Sequence, residues 1–105
     1  MAPRIARLPD AERDLTDLFD YIATDSGIDR AEAVLRRIQH TLENLASFPR
    51  IGKVRRDLDG SARVFAVWPW LIMYEPLTNE PGIAVWRIVD GRRDLPRTIL
   101  GRPIR

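Results

Sequence analysis

The 105-residue chain is 45% hydrophobic and 30% charged, a balance that gives one globular domain a single modest core and is too apolar for intrinsic disorder. It has no cysteine, which excludes disulfides, thiolate metal sites and thiol nucleophiles and suits a reducing cytosol. Net charge is only +2, yet residues 50–67 carry five basic against two acidic side chains, residues 86–105 carry six against two, and every basic residue but Lys53 is arginine, the choice for planar contacts to carboxylate or phosphate.

Met1 to Arg7 has no apolar core of the kind a secretory signal needs. The longest nearly apolar run, Phe65 to Tyr74, is broken by Pro69 and is too short to cross a bilayer as a helix. The expected location is therefore cytoplasmic, with no membrane partner.

Arg4 to Leu8 reads as a short strand. Pro9, with Asp10 and Glu12 behind it, starts a helix, because proline fits the first turn and acids suit its positive end. Ala11, Leu15, Leu18, Phe19 and Ile22 follow at spacings of mostly three and four, predicting an amphipathic helix of about fifteen residues. Asp10, Asp14 and Asp17 share another face, read as solvated. Ser26-Gly27 ends this helix. Asp29 and Glu32 have the spacing of a capping box, and Ala31, Val34, Leu35, Ile38, Leu42 and Leu45 predict a second helix from about Arg30 to Ser47, before Pro49. The short connection makes an antiparallel hairpin.

Phe48 to Gly60, punctuated by Pro49, Gly52 and Gly60 and charged by Arg50, Lys53, Arg55 and Arg56, reads as a loop. Arg63 to Val67 and Trp70 to Glu75 predict a hairpin around Trp68-Pro69, and Ile83 to Val89 a further strand closed by Asp90-Gly91. Asp94 to Leu100 reads as a short helical turn before an arginine-rich tail. The order is β-α-α-β-β-β, an α+β two-layer sandwich in which the helical hairpin packs on a mainly antiparallel sheet, with Leu15, Leu18, Ile22, Leu35, Ile38, Leu42, Val85 and Ile88 in its core.

Much chemistry is missing. One histidine, His40, with no cysteine gives poor material for a metal, so neither metal nor cofactor is expected. Ser26, Ser47 and Ser61 have no base nearby in the sequence, and no glycine-rich phosphate loop occurs. Trp68, Trp70 and Trp86 suit core packing, although strand aromatics also stack on bases. Strand arginines are able to cradle phosphate, so a binding face and a ribonuclease site look alike at this level.

Four segments carry a resemblance. Ala11 to Ala23 (AERDLTDLFDYIA) is similar to a first-helix pattern A-x-x-D-L-x-x-I-x-x-Y-I, and Leu45 to Gly52 to the L-x-x-x-P-x-x-G end of a second helix. Arg63-Val64-Phe65 followed by Ile72-Met73-Tyr74 resembles a pair of central strands. Ile88 to Asp94 resembles a final strand ending h-G-x-R-D, with Asp90 where histidine is frequent. Together, in order, they resemble the ParE/RelE toxin superfamily over nearly the whole chain.

The resemblance implies a bacterial toxin held inactive in a hetero-oligomer by a cognate antitoxin. The RelE branch cleaves messenger RNA on the ribosome, and the ParE branch poisons DNA gyrase on cleaved DNA. RelE-like members use Arg and Lys with a Tyr or His near the C-terminus, and no Tyr or His follows Tyr74 here. That absence and the Arg92-Arg93-Asp94-Leu95-Pro96 ending favour ParE, a gyrase poison without catalysis of its own and with a ParD-like antitoxin. The antitoxin is expected to be acidic opposite the arginine blocks and apolar over the hairpin, meeting Leu15, Leu18, Phe19, Ile22, Leu35, Ile38, Arg92 and Arg93. Arg87, Arg92, Arg93 and Arg97 are the expected contacts to gyrase or its DNA. In the RelE alternative Arg63 and Arg87 are catalytic. A third reading is a non-toxic module that keeps only antitoxin binding, which a growth assay separates from both toxins.

Overall fold

The computed structural model describes residues 2–57, 61–92, 98–99 and 102–103. Its elements are β1 (Arg4–Arg7), α1 (Pro9–Ser26), α2 (Ile28–Ser47), a 3-10 turn (Pro49–Ile51), β2 (Lys53–Val54), β3 (Arg63–Val67), β4 (Trp70–Pro76), β5 (Gly82–Asp90), β6 (Thr98–Ile99) and β7 (Arg102–Pro103). β1 to β5 form one sheet in the order β1-β5-β4-β3-β2, parallel at β1–β5 and antiparallel elsewhere. β6 and β7 pair separately.

A single residue joins the helices. Gly27, at φ +97°, donates its N–H to the Ala23 carbonyl at 3.0 Å and accepts from the Ala31 N–H at 3.2 Å, closing one helix and opening the next. A left-handed φ of this kind suits glycine. The capping box read from Asp29 and Glu32 does not form: α2 begins at Ile28 with no side-chain cap, so Asp29 already lies inside the first turn. There its charge still complements the helix dipole.

The helices cover one sheet face. Leu18, Ile22, Ile38, Leu42 and Leu45 bury against Trp70, Ile72, Tyr74, Ile83, Val85 and Ile88. Six of the eight expected core residues are buried here, whereas Leu15 and Leu35 only half-bury at its margin. Across the sheet, Leu71, Met73 and Val89 form a second buried cluster with Ala62. Trp70 packs in the main core and Trp86 partly against the second cluster, but Trp68, in the β3–β4 turn with a cis bond to Pro69, is exposed.

Two further readings are corrected. The segment after Phe48 is not plain loop, since it makes the 3-10 turn and the edge strand β2. Thr98 and Ile99 are strand rather than helical turn, while 94–97 and 100, with Gly60, lie outside the described residues. Among the described residues no helix is long and apolar enough to cross a membrane.

Candidate functional site

A groove of about 680 Å³ runs between α1 and α2 and reaches Arg7 of β1. Leu15, Phe19 and Leu35 form its apolar floor. At one end Arg7 pairs with Glu12 at 3.3 Å and donates to Gln39 at 3.5 Å, and Gln39 donates to Glu43 at 3.3 Å. Asp20, Glu32 and Arg36 complete the rim. An apolar floor between two helices with a charged rim accepts an amphipathic segment.

A second arrangement ties α1 to the sheet. β5 carries an extra residue, Trp86, where its register to β4 shifts between Met73 and Tyr74, and a bulge of this kind re-aims neighbouring side chains. Arg87, beside it, donates to Asp14 through Nε at 2.7 Å and an Nη at 3.1 Å, and the Ile88 N–H donates to the same carboxylate at 2.9 Å. The side chains are only 26% and 15% exposed, so the pair is shielded from solvent. The reading of Asp14 as part of a solvated acidic face is therefore wrong. Arg87 fills its planar fork with an internal carboxylate.

A third arrangement holds residues 49–52. The hydroxyl of Tyr74, a buried residue of β4, donates to the Pro49 carbonyl at 2.7 Å and accepts from the Gly52 N–H at 2.9 Å. Arg63 donates to the Arg50 carbonyl at 3.0 Å and the Gly52 carbonyl at 2.6 Å. A Cβ on Gly52 would overlap the Tyr74 hydroxyl, so only glycine lets the backbone approach this closely. Burial raises the Tyr74 pKa above the ordinary tyrosine value, partly opposed by the Gly52 N–H and the Arg63 charge. The proline and glycine that end helix two and the arginine and tyrosine of the central strands thus meet in one hydrogen-bonded unit.

These contacts lie within the part of the chain that matches known toxins. Residues 5–95 match the family model described as the ParE toxin of type II toxin–antitoxin system, parDE. The chain belongs to the ParE toxin family. It is 35% identical to Toxin ParE3 of Caulobacter vibrioides over 92 residues, covering 88% of this chain and 90% of the relative. To Toxin ParE1 of Mycobacterium tuberculosis it is 29% identical over 99 residues, covering 94% and 100%. A solved structure described as the chromosomal ParDE TA system from P. aeruginosa superposes with a TM-score of 0.68 at 18% identity, covering 85% of this chain and 96% of that one. At that identity the likeness shows the fold: a helical hairpin on a mixed sheet.

Within this ParE-family fold the six apolar residues expected to meet an antitoxin separate. Leu15, Phe19 and Leu35 line the groove, whereas Leu18, Ile22 and Ile38 point at the sheet and are buried. The last three belong to the core cluster and offer a partner little surface in this structure. Arg92 is exposed and makes a bidentate pair with Asp90, at 3.1 and 3.0 Å, while its N–H donates to the same carboxylate at 2.9 Å. That contact holds its pKa above the ordinary arginine value. Arg93 and Arg97 lie outside the described residues. Sequence reasoning missed the platform around Tyr74. Its signal was present in the P-x-x-G and R…ΦxY patterns, but nothing in either pattern shows that they touch.

Proposed function

We propose that this chain is a cytoplasmic toxin that inhibits DNA gyrase and is neutralised by a ParD-like antitoxin lying in the α1–α2 groove. Family membership and the likeness to a ParDE structure support a paired antitoxin. The groove supplies its seat, with apolar anchors meeting Leu15, Phe19 and Leu35.

One observation carries the choice of target: the groups a ribonuclease would use are engaged inside the fold. Cleavage requires cations on the phosphate and an acid for the leaving group. Arg87 is held by Asp14, Arg63 by two backbone carbonyls, and the Tyr74 hydroxyl lies between Pro49 and Gly52. Residues 75–105 contain no Tyr or His to replace it. The test incubates purified gyrase with supercoiled plasmid, ATP and this protein, and scores cleaved complexes after detergent and protease. Accumulation of cleaved DNA is expected, with no messenger cleavage on translating ribosomes. Ribosome-dependent cleavage without an effect on gyrase would instead make Arg63 and Arg87 catalytic. Inactivity in both assays with antitoxin binding intact would leave the inert binding module.

A further inference from the structure

The exposed surface from Phe48 to Arg56 has a composition that core packing does not explain. Phe48, Ile51 and Val54 are 62%, 51% and 44% exposed. Arg50, Lys53 and Arg56 alternate with them, also exposed, and make no ion pair among the described residues. By contrast the C-terminal cations that are described are matched internally, Arg87 by Asp14 and Arg92 by Asp90. In the 50–56 block Arg55 pairs with Asp57 at 2.6 Å, which leaves Arg50, Lys53 and Arg56 as three neighbouring exposed cations without a carboxylate partner among the described residues.

This surface is rigidly presented. Tyr74 and Arg63 together hold the Pro49, Arg50 and Gly52 carbonyls and the Gly52 N–H, and the Arg55 N–H donates to the Ala62 carbonyl at 2.9 Å. The backbone is fastened inward while the side chains of residues 48, 50, 51, 53, 54 and 56 face solvent. Phe48 immediately precedes the 3-10 turn, and its carbonyl accepts from the Ile51 N–H at 3.2 Å, which holds the two residues close together. A pre-ordered surface loses little entropy on binding.

We propose that this Phe48–Arg56 surface is where the toxin docks on its target, and that the target offers it an acidic protein surface with apolar side chains between the carboxylates. The inference rests on the toxin reading above, and it places the target contact away from the C-terminal arginines. Charge complementarity sets the acidic partner. The three exposed apolar side chains select protein over nucleic acid, because Ile51 and Val54 have nothing to offer a phosphate backbone. Topology separates the surface from the antitoxin groove: the groove includes Arg7 of β1, the platform carries β2, and these strands are opposite edges of the sheet. Four strand spacings put them about 19 Å apart.

The test compares the wild type with Arg50→Glu/Lys53→Glu/Arg56→Glu and, separately, Ile51→Ser/Val54→Ser. Growth arrest on induction is read without assuming a target. Affinity is measured for gyrase without DNA, for a linear duplex alone, and for the protein encoded by the adjoining reading frame, which also reports folding. Both variants should lose growth arrest and bind gyrase more weakly by about tenfold or more, while binding that adjoining product like the wild type. Full growth arrest by either variant would overturn the proposal. So would reversal variants that lose only duplex binding, which would make the surface a nucleic-acid site, or that lose the adjoining product while keeping the wild type's circular dichroism and urea midpoint, which would make it the antitoxin's. If both variants lose growth arrest and the wild type does not bind gyrase, the surface stands and the gyrase reading falls. A wild type that arrests no growth removes the toxin reading and this inference with it.

Discussion

Tyr74→Phe isolates the hydroxyl that joins β4 to the segment after α2. The ring stays and fills the same space, so only two hydrogen bonds change: one to the Pro49 carbonyl at 2.7 Å and one from the Gly52 N–H at 2.9 Å. Gly52 is buried, and a buried donor left without an acceptor costs about 1–3 kcal/mol. Pro49 is only half-buried, and water restores part of its bond, so its loss adds about 0.5–1.5 kcal/mol. The expected total is about 2–4 kcal/mol, a large share of the stability of a domain this size. In urea, with a slope of roughly 2 kcal/mol per molar, the midpoint should fall by about 1–2 M at unchanged slope. Amide exchange at Gly52 should accelerate with it. A midpoint shift below about 0.3 M, with Gly52 still protected, would refute the accounting and show that the platform is held by something other than this hydroxyl.

The same residue gives a pH dependence. Burial raises the pKa of folded Tyr74 above the unfolded value near 10, so its contribution is complete below about pH 10 and is lost as the pH climbs towards the folded value. Wild type should therefore lose stability above about pH 10 by a component that Tyr74→Phe lacks, read from urea midpoints across that range. Asp14→Ala should cost about 2–4 kcal/mol, slightly below a fully buried pair, since it strands Arg87 and the Ile88 N–H together; thermal or urea unfolding checks this. Leu42→Ala, at a position with no exposure, should cost about 2–5 kcal/mol. Phe19→Ala, in the groove, should change stability much less while weakening antitoxin binding by more than about tenfold, measured by calorimetry.

The helices and central strands were readable because apolar periodicity reports directly on a face turned from water. The edge strand β2 was not. Its two residues, Lys53 and Val54, are both exposed and carry no alternation to detect. Asp14 was misread for a related reason. Helical spacing places it with Asp10 and Asp17, and only the bulge at Trp86 brings Arg87 to it from 73 residues away. Tyr74 and Gly52 show the same limit: each belongs to a recognisable pattern, but their contact depends on how β4 sits under the end of α2. Local propensity fixes elements, and contacts distant in sequence fix how polar groups are matched.

The apolar helix residues divide between core and groove by the side of the arc they occupy. At a helical turn of about 100° per residue, positions 11, 15, 18, 19 and 22 of α1 and positions 31, 34, 35, 38, 42 and 45 of α2 each span an arc of about 100°. When two such helices pack antiparallel on a sheet, one side of each arc is turned to the sheet, where Leu18, Ile22, Ile38 and Leu42 are buried. The other side faces across the hairpin, where Leu15, Phe19 and Leu35 are half-buried and line the groove. Truncation of Leu15, Phe19 or Leu35 should therefore act on binding, and truncation of Leu18, Ile22, Ile38 or Leu42 on folding.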